Sequence, residues 1–173
     1  AEAQDTAAQG TWDTTRPDPP QFSRLVGVEL RPRVAGIAVR ALEHEAEVLT
    51  GDAREAGLPH ADMVLLFDVL HMMPEADQRE LLKAIRAAMP PTGRLLVREA
   101  DADAGWRFRM VRLGNTLKAL VTGRWRQRFH FRSQADWRRL LYEEGFAPHV
   151  HPMGDGTPFA NVLISAGVRT DGR

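Results

Sequence analysis

The stretch ADMVLLFDVLHMMP, Ala61 to Pro74, decides how the chain reads. Asp62 to Leu70 is an apolar run that opens on Asp62 and is interrupted by Asp68. A short apolar run bounded by turn signals fits a strand buried in a parallel sheet. It ends at His71, followed by Met72, Met73 and Pro74. DQRELLKAIRAAM, Asp77 to Met89, then carries Leu81, Leu82, Ile85 and Met89 at helical spacing. Pro90, Pro91 and Gly93 stop that helix, and RLLVREA, Arg94 to Ala100, is the next strand. Strand, helix and strand in succession make a parallel crossover unit.

The same alternation extends outward. Upstream, RLVGVEL (Arg24 to Leu30) is a strand, Arg33 to Glu45 a helix opened by Pro32, and AEVLTGDA (Ala46 to Ala53) a second strand. Downstream, a basic helical segment covers Trp106 to Thr122. Phe129 to Phe146 holds another helix, with Ser133 as its N-cap and Gly145 as its stop. APHVHPM and ANVLISAGV are two strands joined by the turn-rich GDGTP, an antiparallel pair at one edge. The fold class is therefore α/β, an open, mostly parallel sheet with helices on both faces and an antiparallel C-terminal edge pair. Residues 1–23 lack periodic apolar runs and read as an extended or disordered arm. Residues 24–168 read as the α/β domain, with a basic helical insertion at about 104–131, and 169–173 as a tail.

At 173 residues the chain is long enough for one core. It has no cysteine, which excludes disulfides and thiol chemistry and fits a reducing cytoplasm. No apolar stretch approaches the roughly 18 residues of a membrane helix. Net charge is zero, yet Trp106 to Arg139 carries nine Arg and one Lys against a single acid, Asp136. Arg interleaved with Trp106, Phe108, Trp125, Phe129 and Phe131 suits an anionic partner such as an acyl carrier protein, and nucleic acid less well. The plainer reading is a solvated face over a helical lid, with its aromatics turned inward.

In open α/β sheets ligands sit beyond the carboxyl ends of the strands. The residues there are Glu29, Asp52 and Ala53, Phe67 to His71, and Glu99. Glu29 could accept hydrogen bonds from both ribose hydroxyls, or simply pair with Arg31 or Arg33. Asp52 could accept from an adenine amino group, or form a turn after Gly51. His71 is a candidate general base, or a packing histidine at a helix start. His149 and His151 share one strand face, but no third metal ligand accompanies them, so no metal is assigned. No G-x-x-x-x-G-K-[ST] is present, which argues against a phosphate-loop NTPase.

GVEL (Gly27 to Leu30), GDA (Gly51 to Ala53), ADMVLLFDVLHMMP and the Pro-Gly turn into RLLVREA, in that order and spacing, resemble the second to fifth strands of class I S-adenosylmethionine-dependent methyltransferases. DWRRLLYEEGF with the two strands after it resembles that family's ending. The resemblance implies S-adenosylmethionine as cofactor and a small-molecule or acyl-carrier-bound acceptor. It implies that Glu29 holds the ribose, that Asp52 and Ala53 meet the adenine, and that Phe67 and the adjoining Asp68 lie by the methionine part. It places His71 near cofactor and acceptor, with substrate choice in the basic insertion. The family also begins with a central strand and a glycine-rich turn, and residues 1–23 supply neither; Gly10 stands alone. The expectation is a fragment or truncated form with weak cofactor binding. In it RLVGVEL pairs directly with DMVLLFDVL in a flavodoxin-like order, or the exposed strand edges associate as a homodimer. The rival from another class is a non-catalytic interaction module that keeps the sheet and binds no cofactor.

Overall fold

The computed structural model describes residues 10, 15, 22–55, 57–106, 108–109, 113–114, 128–153 and 161–170. It divides into two compact units, Ala1–Ala56 and Gly57–Arg173.

The first unit is a strand–helix–strand: β1 (Val26–Glu29), α1 (Pro32–Leu42) and β2 (Glu47–Thr50). β1 and β2 are parallel, with Val26 opposite Glu47 and Glu29 opposite Thr50. Pro32 opens α1, where a missing N–H costs nothing. The helix ends three residues before the sequence suggests, because Glu43 turns to φ 45°. β2 likewise stops at Thr50, and Gly51 N–H returns to the Glu29 carbonyl at 3.0 Å. Among the described residues Ala35 is this unit's one buried apolar side chain.

The second unit holds β3 (Met63–Phe67), a single 3-10 turn (Leu70–Met72), α2 (Glu75–Ala88), β4 (Arg94–Ala100), α3 (Gln134–Glu143), β5 (Phe146–Pro152) and β6 (Asn161–Val168). Its sheet runs β3-β4-β6-β5, parallel between β3 and β4 and antiparallel across β6. The antiparallel C-terminal pair is thus present, with β5 at the edge. The direct pairing of the first and third strands, which would give the flavodoxin-like order, does not form among the described residues. β1 has its ladder with β2, and β3 with β4, in separate sheets.

The core lies on one face of this second sheet. Leu95 and Val97 of β4 and Val162, Ile164, Ala166 and Val168 of β6 point into it. Leu81, Leu82 and Ile85 of α2 and Trp137, Leu140 and Leu141 of α3 complete it. Each fully buried aliphatic side chain there contributes about 1.5–3 kcal/mol relative to exposure. β3 is not buried on both faces as its apolar run suggests. It alternates, with Leu66 buried and Met63, Leu65 and Phe67 about half exposed. A tight turn joins α2 to β4, and Gly93 is required in it: a Cβ there would lie 2.9 Å from both Met89 Cε and the Pro90 carbonyl. Ser133 caps α3 as its sequence implies, its Oγ accepting from Asp136 N–H at 3.1 Å. Gly145 ends that helix region at φ 88°.

Candidate functional site

In the first unit the parallel register sets Glu29 and Asp52 at the same end of adjacent strands, since Thr50 lies opposite Glu29. Each carboxylate holds the guanidinium two residues on. Glu29 receives Arg31 Nε at 2.7 Å, its Nη at 3.2 Å and its backbone N–H at 2.9 Å. Asp52 receives Arg54 Nη at 2.6 Å, Nε at 3.0 Å and backbone N–H at 2.9 Å. Arg54, first through its side chain and then through its N–H, holds the Asp52 carboxyl down at about 2. The Arg31 and turn-forming contacts weighed for these two acids are therefore both present. Ala53 lies in the turn between Asp52 and Arg54. Two strand-end carboxylates form an acceptor-only set, which suits the hydroxyl and amino donors of a nucleoside.

The second unit brings the remaining predicted residues together at the carboxyl ends of β3 and β4. Phe67 closes β3, and Arg98 lies over its ring at 5.3 Å. Asp68 follows in the left-handed region at φ 58°, which Asp tolerates better than most residues. Its N–H donates to the Arg98 carbonyl at 2.9 Å and its carboxylate pairs with the Arg98 guanidinium. This sharp turn redirects the chain into the 3-10 turn that carries His71.

His71 is almost fully buried, and so is Glu99, which points from β4 into the same core face. Burying a carboxylate is costly unless it is fully hydrogen-bonded. Glu99 Oε1 accepts from Leu70 N–H at 2.7 Å and His71 N–H at 3.4 Å, and Oε2 meets His71 Nδ1 at 2.6 Å. Oε1 thus accepts from two backbone N–H groups, while Oε2 faces a ring nitrogen whose role depends on the tautomer. An ionised carboxylate only accepts, and opposite one the ring proton sits on Nδ1. In the neutral ring Nε2 then keeps its lone pair and can take a proton.

Aromatic side chains from the basic stretch wall this imidazole. Phe131 stacks on it at 4.7 Å and 11°, Phe129 lies tilted at 5.9 Å, and Phe108 meets Phe131 edge-on at 5.1 Å. His130 N–H donates to the His71 carbonyl at 2.7 Å. The inward reading of the aromatics thus holds at Phe108, Phe129 and Phe131, while Trp106 is exposed. Trp125, Arg124 and Arg126 lie outside the described residues. The cations are not all solvent-facing. Arg132 is mostly buried, donating from Nε to Gln78 at 2.8 Å and lying over Trp137 at 5.7 Å. His151 of the HVH strand contacts Ser165 Oγ at 3.0 Å. Among the described residues no three His, Cys, Asp or Glu side chains gather as a metal site, and no helix is long and apolar enough to cross a membrane.

Sequence reasoning singled out His71 and noted Glu99 as a strand-end residue, but did not join them. It passed over Gln78 entirely. His71 and Glu99 lie 28 residues apart, and only the β3–β4 register makes them neighbours.

The chain is similar in sequence and fold to known proteins. The family model for the O-methyltransferase domain matches residues 31–147. The chain belongs to that family, which agrees with the methyltransferase resemblance of its motifs. Acetylserotonin O-methyltransferase of Mus musculus is 32% identical over 105 residues, covering 61% of this chain and 26% of that protein. Flavonoid 7-O-methyltransferase 1 of Ocimum basilicum is 32% identical over 112 residues, covering 62% of this chain and 32% of the relative. The crystal structure of human N-acetylserotonin methyltransferase in complex with SAM superposes with a TM-score of 0.67 at 21% identity, over 95% of this chain and 43% of that one. The chain therefore spans roughly a quarter to a third of the length of these curated relatives.

Proposed function

We propose that the chain is part of an S-adenosylmethionine-dependent O-methyltransferase acting on a small hydroxylated molecule, with His71 as its general base. The observation that carries this reading is the buried His71–Glu99 pair, which leaves Nε2 as the proton acceptor against an aromatic wall. An acceptor hydroxyl donates its hydrogen bond to His71 Nε2. As the oxygen gains its methyl group, its proton passes to Nε2 and the ring becomes an imidazolium. Glu99 stabilises that charge and stays ionised throughout, as an orienting carboxylate does. General-base help of this kind is worth about 10²–10⁴ in rate.

S-adenosylmethionine, when bound, would supply an electrophilic methyl group, its methyl–sulfur bond breaking to leave the neutral thioether S-adenosylhomocysteine. The acceptor-only pair Glu29 and Asp52 supports roles at its ribose and adenine, with Ala53 beside the base. Phe67 and Asp68 would flank its methionine part from the turn after β3. The flat rings of Phe129 and Phe131 favour a free aromatic acceptor over a carrier-bound acyl chain, a preference the relatives' names also support. A surface for an anionic partner along Arg107–Arg139 has less support, because Arg132 is committed to Gln78 and Arg139 to Asp136.

The test is methyl transfer to a panel of phenols by the protein and its His71→Ala and Glu99→Gln forms. His71→Ala should lose about 10²–10⁴ in kcat with little change in S-adenosylhomocysteine affinity. Undiminished turnover in His71→Ala would remove the base assignment.

A further inference from the structure

We propose that Gln78 is a positioning residue for His71, holding the turn that carries the imidazole against the segment that stacks on it. The inference rests on the base reading only for its catalytic consequence. Gln78 lies on the inward stripe of α2, where Leu81, Leu82 and Ile85 are aliphatic. It is completely buried. A polar group in such a place is costly unless its hydrogen-bonding capacity is used.

It is used fully. Gln78 Nε2 donates toward three carbonyls: Leu70 at 3.0 Å, Met73 at 3.2 Å and His130 at 3.2 Å. Its Oε1 accepts from Arg132 Nε at 2.8 Å. The amide cannot be turned over, since that would set Oε1 against three carbonyl oxygens and the amide N–H₂ against a guanidinium that only donates. Arg132 is itself fixed by Glu75 at 3.2 Å and by the Trp137 ring.

The three carbonyls bracket the imidazole. Leu70 precedes His71, Met73 ends its turn, and His130 sits between the two phenylalanines against the ring. Glu99 fixes the ring's rotation from the sheet side. Gln78, together with the His130 N–H bond to the His71 carbonyl, fixes the distance between the ring and its aromatic wall. The two constraints arrive from different elements, and neither replaces the other. A displacement of about 1 Å at a reacting group can cost on the order of a hundredfold in rate.

The experiment is nitrogen-15 and proton NMR of the His71 imidazole in the 173-residue chain, in Gln78→Met and in Arg132→Lys. Gln78→Met keeps length and volume but removes the two N–H donors and the acceptor. Folded Gln78→Met should lose the ring-current displacement that Phe131 imposes on the His71 ring protons, and should broaden or double its Nδ1–H signal. Arg132→Lys keeps the charge near Glu75 but removes the planar donor that orients the amide, so it should produce a smaller displacement in the same direction. If Gln78→Met does not fold, Arg132→Lys decides. His71 signals unchanged in a folded variant would overturn the proposal and leave Gln78 a structural plug. In turnover, Gln78→Met should lower kcat about ten- to a hundredfold with KM for S-adenosylmethionine held. The two readings separate cleanly: displaced His71 signals, with full turnover in His71→Ala, keep the positioning role and remove the base.

Discussion

The two units hold their acids in opposite ways. In the first, Glu29 and Asp52 are each gripped by an arginine two residues along, at the surface. In the second, Glu99 is gripped by groups 28 and 29 residues away, inside the core. The apolar ledger divides along the same line. Phe22, Leu25, Leu30, Ile37 and Val39 of the first unit are all about half exposed or more, whereas the second unit buries most of the described core side chains, from Leu66 to Val168. Local contacts between exposed ions are cheap and exchangeable, so a ligand can displace them at little cost. Buried contacts made across a fold are preorganised, which is what a proton acceptor needs. The proposed cofactor-binding residues fit the first pattern and the proposed base fits the second.

The contrast breaks most visibly if a core contact is removed. Trp137→Ala should destabilise the second unit by about 3–5 kcal/mol, measured by urea unfolding, because its ring is fully buried between α3 and the sheet. Ile37→Ala, on the exposed side of α1, should change stability by no more than about 0.5 kcal/mol. Comparable losses at the two positions would mean that the first unit is covered when the protein is at work.

Removing Glu99 comes next in size. Glu99→Ala leaves the Leu70 N–H and His71 Nδ1–H buried without an acceptor, at about 1–3 kcal/mol each. The same substitution at Glu29 should cost under about 1 kcal/mol, since its arginine is half exposed and turns to water. The pair of unfolding curves checks both at once. Ser133→Ala is milder, about 0.5–2 kcal/mol for a lost N-cap, and a folded protein with an unshifted midpoint would show the cap to be ornamental.

The smallest effect is one of pH. Asp52 is depressed from 3.8 to about 2 by Arg54. A lowered folded-state value favours the ionised form, so its contribution is complete above about pH 4 and fades as pH falls toward 2. At this exposure the contribution stays below about 1 kcal/mol. Carbon-13 titration of the Asp52 carboxyl should move up toward 3.8 in Arg54→Ala, and an unmoved midpoint would assign the depression elsewhere.

Much of this was legible in advance. Ser133 and Gly145 announced the limits of α3, and the turn-rich link announced the antiparallel β5–β6 pair. His71 stood out because it follows a strand end. β3 was harder: MVLLF looks the same whether one face or two are covered, and the neighbour that decides this is not a local property. Gln78 gave no signal at all. A glutamine in the first turn of an amphipathic helix ordinarily faces water, and nothing near it in sequence names the carbonyl of His130 as its partner. Glu99 was visible as a position, but its chemistry came from a parallel register that pairs Phe67 with Arg98.

The sheet order of the second unit also governs how the chain can assemble as it is made. β6 lies between β4 and β5 and is the sole described partner of β5. A nascent chain emerging N-terminus first, at about 5–20 residues per second, presents β4 with one edge unpaired and β5 with no partner until residues 161–168 arrive. The core face of β4, Glu99 included, waits in that interval beside an open edge. Premature termination before Asn161 would therefore leave β5 without a partner and β4 open along one edge, so a late-arriving strand is the keystone of the sheet.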